Sequence, residues 1–153
     1  MSVPDSLEKA AWGAAVMMVL TSSLALGGEQ NGCMETAKTQ LKVNQCAAGE
    51  LKAADAELNR VYQAILMKYK AQRTFVESLR KAQRAWVRFR DAELAARFPG
   101  DDKQSRYGSA YPMCANLFLA KRTRERVAQL REWLSGAEEG DVCAGSVQYR
   151  SAP

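Results

Sequence analysis

Four carboxylates stand in two close pairs, Asp55 with Glu57 and Asp91 with Glu93. Paired carboxylates can divide general acid and general base work when their surroundings push their proton affinities apart. The chain offers little to extend that chemistry. It has no histidine, so the commonest general base and the commonest metal ligand are both missing. Nor does any nucleophile stand beside a base. The four carboxylates therefore read as helix-surface or ion-pair residues. The expectation is a non-enzyme with no catalytic residue, no cofactor and no metal site.

The four cysteines, Cys33, Cys46, Cys114 and Cys143, lie far apart, with no Cys-x-x-Cys pair. A structural zinc site needs close pairs and usually histidine. An even count suits two disulfides in an oxidising compartment. Lys and Arg number 22 against 17 Asp and Glu, a formal charge of +5. Arg80, Arg84 and Arg88 step by four and so form one stripe on a helix. That stripe is either a solvated face beside a core face or a grip for an acidic partner.

These residues need helices to position them. Phe75, Leu79, Ala82, Trp86 and Phe89 step by four and three, which predicts one inward face of a helix through Leu79–Leu94 that runs on to Arg97. Phe98, Pro99, Gly100 and Asp101 stop it. Before it, Leu51, Ala54, Leu58, Tyr62, Ile65 and Tyr69 mark a helix over 47–70, with a polar break at 71–74. A shorter helix is expected over 34–45. After it, Leu117, Ala120, Thr123, Val127, Leu130 and Leu134 line a helix over 113–134 whose other faces carry Lys121, Arg122, Arg124, Arg126 and Arg131. Residues 99–112 read as a long loop, either a plain connector or a recognition loop that presents Lys103, Ser105, Arg106 and Tyr107. The tail from Ser135 reads as irregular and tied down by Cys143. No strand pattern and no internal repeat is visible.

The stretch Ala10 to Leu26 carries no charge, follows Lys9 and ends in small residues. This is the pattern of a secretory signal, here assigned to residues 1–27, with a single domain over 28–153. A membrane anchor is the competing reading of the same run. Residues 1–27 hold two acids and one base, so removing them makes the remainder more positive. The expected product is periplasmic or secreted, without a stable membrane anchor, of unassigned oligomeric state. Export and the lack of a recognition motif argue against nucleic acid as a partner. The expected fold is all-α, an antiparallel bundle of three main helices plus a short leading helix, stapled by two disulfides. Three cysteine pairings are open. The first and third long helices should run parallel with their starts together, which favours Cys46–Cys114 and leaves Cys33–Cys143.

The motifs TQLKVNQCA at 39–47, ADAELNRVY at 54–62 and LRKAQRAWVRFRDAE at 79–93, with Cys33, Cys114 and Arg122, resemble the LprI-like lysozyme-inhibitor domain family over about residues 33–130. The chain departs from that family's habit of a cysteine soon after the RDA motif, where it has Leu94, so the family's disulfide pattern does not transfer whole. The matching residues Asp55, Asn59, Gln83, Trp86, Arg90 and Asp91 read as structural, with Asp55 against Arg90 as a partly buried ion pair and Trp86 in the core. The resemblance implies an exported helical protein that blocks a lysozyme, whose cleft uses two carboxylates. Lys103, Ser105, Arg106 and Tyr107 are the candidates to meet them. Many lysozymes are basic, and like charges slow encounter, although Glu138, Glu139 and Asp141 supply an acidic cluster. The alternative is a basic envelope module that binds an anionic partner, a polyanion or an acidic toxin, through Arg80, Arg84 and Arg88.

Overall fold

A computed structural model describes residues 29–150; the expected signal segment lies outside the described residues. These form α1 (Glu29–Thr36), α2 (Gln40–Lys68), α3 (Arg73–Arg97), α4 (Lys103–Tyr107), a single 3-10 turn (Gly108–Ala110) and α5 (Tyr111–Ser135). No strand occurs among them, and no helix among them is long and apolar enough to cross a membrane.

The core lies along α2 and α5. On α2 the buried positions are Cys46, Ala47, Glu50, Ala54, Leu58, Val61 and Ile65, a three-and-four rhythm that keeps one face inward. On α5 they are Ala115, Ala120, Thr123, Val127 and Leu130. The small residues Ala47, Ala54, Ala115 and Ala120 let the first halves of the two helices approach closely. Contacts rise together along both helices, from Asn44 bonded to the Ser109 carbonyl to Tyr69 bonded to that of Trp133, so α2 and α5 run in the same direction. Helix α3 runs against both, with Leu79 packed among Leu58, Val61, Ile65, Tyr69, Val127 and Leu130.

At the far end Tyr69, Phe75 and Trp133 close the core, with ring centroids 4.5 Å apart for Tyr69–Phe75 and 4.7 Å for Phe75–Trp133. The Lys68 ammonium donates to the carbonyls of Trp133 and Leu134. A cation there satisfies the orphan carbonyls at the end of α5 and suits its dipole.

Several expectations are corrected. The 34–45 helix is broken at 37–39, because the Thr39 hydroxyl accepts from the Lys42 amide and caps a new helix there. The 99–112 loop contains α4, which Asp102 caps by accepting from the Ser105 amide. On α3 Phe75, Leu79 and Trp86 face inward as expected, but two of the five expected positions do not. Ala82 and Phe89 are exposed, Phe89 by 60%, while Gln83 and Arg90 turn inward because polar partners wait for them on α2 and α5.

One disulfide is present, not two. Cys33 joins Cys46 across the 37–39 break, with Cα atoms 5.7 Å apart, because α1 folds back on the start of α2. Cys114 is unpaired and half-buried; Cys143 is unpaired and exposed. Cys114 does sit toward the Cys46 end of the molecule, but Cys46 is already taken. Cys143 belongs to a tail docked at the opposite end of α2, where the Gln148 amide donates to the Tyr69 hydroxyl. From Cys46 to Tyr69 α2 spans about 35 Å at 1.5 Å per residue, so Cys143 cannot reach Cys33.

The tail is held by backbone instead of sulfur. The Ala137 amide donates to the Gln148 carbonyl and the Arg150 amide to the Ala137 carbonyl, each at 2.9 Å. Gly136 makes this possible. Its φ is +80°, and a Cβ there would meet the Gln148 carbonyl oxygen at 2.9 Å. Gly136→Ala should therefore destabilise the fold by about 1–3 kcal/mol and release the tail, which hydrogen exchange at the Ala137 and Arg150 amides would register. A peptide map should recover Cys33 linked to Cys46. Cys33→Ser should lower stability by about 3 kcal/mol, from the loss of a short closed loop. Finding Cys143 in a native intramolecular disulfide would contradict this arrangement.

Candidate functional site: an internal arginine network and an external arginine stripe

The residues of the three motifs meet where α2, α3 and α5 pack together. Arg90, only 15% exposed in its side chain, donates from one terminal nitrogen to Asp55 at 3.3 Å and to the Thr123 hydroxyl at 3.2 Å. Its Nε donates to Asp91 at 3.0 Å. One guanidinium thus reaches α2, α5 and its own helix. Thr123 is fully buried, so its hydroxyl needs such a partner.

Trp86 lies one turn before Arg90 and is flanked by two guanidinium groups, those of Arg90 at 5.3 Å and Arg126 at 5.9 Å from a ring centre. Cation–π attraction therefore holds the indole between α3 and α5. Arg126 donates to Gln83 at 3.2 Å and to Gln129 at 3.1 Å. Both partners are neutral, and burial pushes the Arg126 guanidinium below its ordinary value. Asn59 remains exposed on α2, one turn beyond Asp55.

The other carboxylates of the two sequence pairs are engaged in the same way. Glu57 meets Arg60 and Arg131, and Glu93 meets Arg122 at 3.3 Å. A hydrogen bond to Glu125, with Glu93 beside it, raises the Arg122 guanidinium above its ordinary value. Glu50, which sequence reasoning passed over, is buried and pairs with Arg124. Its signal was its place one turn before Ala54 in the inward rhythm of α2.

The arginines therefore divide into two sets. Those of α5 are engaged by other side chains of the fold: Arg122 and the exposed Arg124 and Arg131 by carboxylates, Arg126 by amides and an indole. Arg80, Arg84 and Arg88 on α3 are exposed, and none forms an ion pair with a described residue. With neighbouring Lys81 they make a cationic face beside the exposed ring of Phe89.

The segment around α4 is more self-contained than a presenting loop. Lys103 donates to the carbonyls of Phe98 and Gly100, and the Tyr107 hydroxyl donates to that of Pro99 at 3.0 Å. The Tyr107 ring packs edge-on against Phe98 with centroids 5.2 Å apart and stacks on Tyr111 at 6.0 Å. Ser105 and Arg106 remain on its exposed side, with Arg106 lying over the Tyr107 ring.

An all-helical domain joined across its helices by arginine contacts, with three arginines left without an ion pair to a described residue on one outer helix face, is a scaffold with a surface to offer. The sequence matches the family described as Lysozyme inhibitor LprI over residues 33–130, and the chain belongs to that family. The matched span holds the Cys33–Cys46 bond and the whole Asp55–Trp86–Arg90–Thr123 network. The chain is also 36% identical over 115 residues, 67% of its length and 78% of the relative's, to a protein of Rhizobium meliloti (strain 1021) described as uncharacterized. No solved structure matches.

Replacing Arg90 with Met should destabilise the fold by about 2–3 kcal/mol, since Thr123 and the buried side of Asp55 lose their partner. Arg88→Met on the same helix should change stability by less than about 0.5 kcal/mol. Urea denaturation of the two variants makes the comparison.

Proposed function

We propose that this chain is an exported protein that binds a lysozyme and blocks it, protecting the cell wall. Membership of the LprI family supports the partner class. The structural observation that carries the reading is the α3 face. Arg80, Arg84 and Arg88 project from a helix whose other side packs on the core, and none of them forms an ion pair with a described residue. A lysozyme cleft contains two carboxylates, and a rigid row of guanidinium groups complements such a site in charge and hydrogen bonding. Ser105 and Arg106 on α4 are a second contact, weaker in charge. The three long helices act together as a bundle that keeps α3 straight and presents its outer face.

The unpaired α3 face also favours a second reading, a basic envelope module for a polyanion or an acidic toxin. The two differ in specificity and in salt dependence. Polyanion binding through exposed arginines falls steeply with salt, whereas occupation of a cleft depends on shape as well.

The test is cell-wall lysis by lysozymes of several classes, titrated with the mature chain at two salt concentrations. Stoichiometric inhibition of one class is expected. The triple variant Arg80→Gln, Arg84→Gln, Arg88→Gln should weaken it at least about tenfold, the equivalent of 1.4 kcal/mol, with helicity retained. Inhibition of no class rejects the lysozyme reading. Retained inhibition by a folded triple variant moves the contact to Ser105 and Arg106.

A further inference from the structure

We propose that the hollow between the start of α3 and the end of α5 is a binding site for a small amphiphilic carboxylic acid. This hollow is separate from the outer α3 stripe, and the inference does not depend on lysozyme binding. It has a volume of about 800 Å³, within the range of about 300–1,000 Å³ usual for small-molecule sites. Its apolar walls are Phe75, Leu79, Ala82 and Trp133, and its charged groups are Arg126 and Arg73.

Arg126 makes the assignment chemical. Every other α5 arginine in a polar contact has a carboxylate; Arg126 has Gln83 and Gln129. Its second terminal nitrogen makes no hydrogen bond with a described residue. Its charge is thus half-buried against Trp86 without a counter-ion among the described residues. Desolvation already lowers its proton affinity; a bound carboxylate would reverse that. The first turn of α3 forms part of the rim and carries no acidic residue and no side-chain cap, so its partial positive charge adds to the two guanidinium groups. A carboxylate on Arg126 with its hydrocarbon against Phe75, Leu79 and Trp133 satisfies both halves of the site.

Octanoate is the probe, with octanol, octylamine and inorganic phosphate as controls, titrated calorimetrically into the full disulfide-bonded chain while the summed tryptophan fluorescence, to which Trp86 and Trp133 both contribute, is followed in parallel. Octanoate should bind at least about tenfold more tightly than each control, as loss of a charge-assisted pair requires. Arg126→Gln should weaken octanoate by a similar factor and Arg126→Lys by less. Ala82→Trp, at an exposed helical position on the hollow's wall, should abolish binding by filling it, and it tests the site independently should Arg126→Gln fail to fold. Absence of octanoate binding, equal binding of octanol or phosphate, or full affinity in folded Arg126→Gln or Ala82→Trp would overturn the proposal.

Discussion

Arg90 sits where three helices meet, and among the described residues its guanidinium is the only group hydrogen-bonded to a side chain on each of the other two. An ion pair at such a point adds little net stability over well-packed apolar residues, because desolvation offsets most of the attraction. It supplies register instead. A guanidinium that must reach Asp55, Thr123 and Asp91 together permits one rotation of α3 and one depth of insertion. Trp86, held between Arg90 and Arg126, adds bulk at the same level. That requirement explains why Phe89 is left in solvent. Turning Phe89 inward would carry Arg90 out and strand Thr123 beneath it.

The same constraint sorts the charge. Because α5 is central, three of its arginines, Arg122, Arg124 and Arg131, find carboxylates on α2 and α3, and Arg126 finds amides and an indole. Because α3 shows the core only one face, Arg80, Arg84 and Arg88 stay outside it, and none forms an ion pair with a described residue. A net positive chain thus expresses much of its excess on one helix rather than evenly over the surface. Long-range steering of an acidic partner follows from that asymmetry more than from the total charge.

The two ends of the α2–α5 pair are closed by different means. At one end the Cys33–Cys46 bond folds α1 onto α2. At the other, Tyr69 uses its hydroxyl twice, donating to the Trp133 carbonyl and accepting from the Gln148 amide. That single hydroxyl joins the last turn of α5 to the returning tail, while its ring supports Phe75 and Trp133. The hollow beside Phe75 and Trp133 lies at this aromatic closure, next to the first turn of α3.

Much of this could be read from the chain alone. The three-and-four spacing of apolar residues located α2, α3 and α5 to within a few residues, apart from the start of α2, since a long helix must bury a continuous stripe. The motif residues identified the family and placed Asp55 opposite Arg90. Local chemistry that competes with periodicity was harder to read: a threonine cap split the 34–45 helix, and an aspartate cap made a helix of the α4 segment. The exchange of Ala82 and Phe89 for Gln83 and Arg90 on the inward face of α3 was invisible, because a period of 3.6 fits either pair about as well. Only the polar partners contributed by α2 and α5 break that tie. Cysteine pairing was likewise beyond reach, since it depends on where chain ends come to lie. Helix identity is set by neighbours in sequence. The choice of inward face, the fate of each arginine and the single disulfide are set by residues distant in sequence, and so by tertiary structure alone.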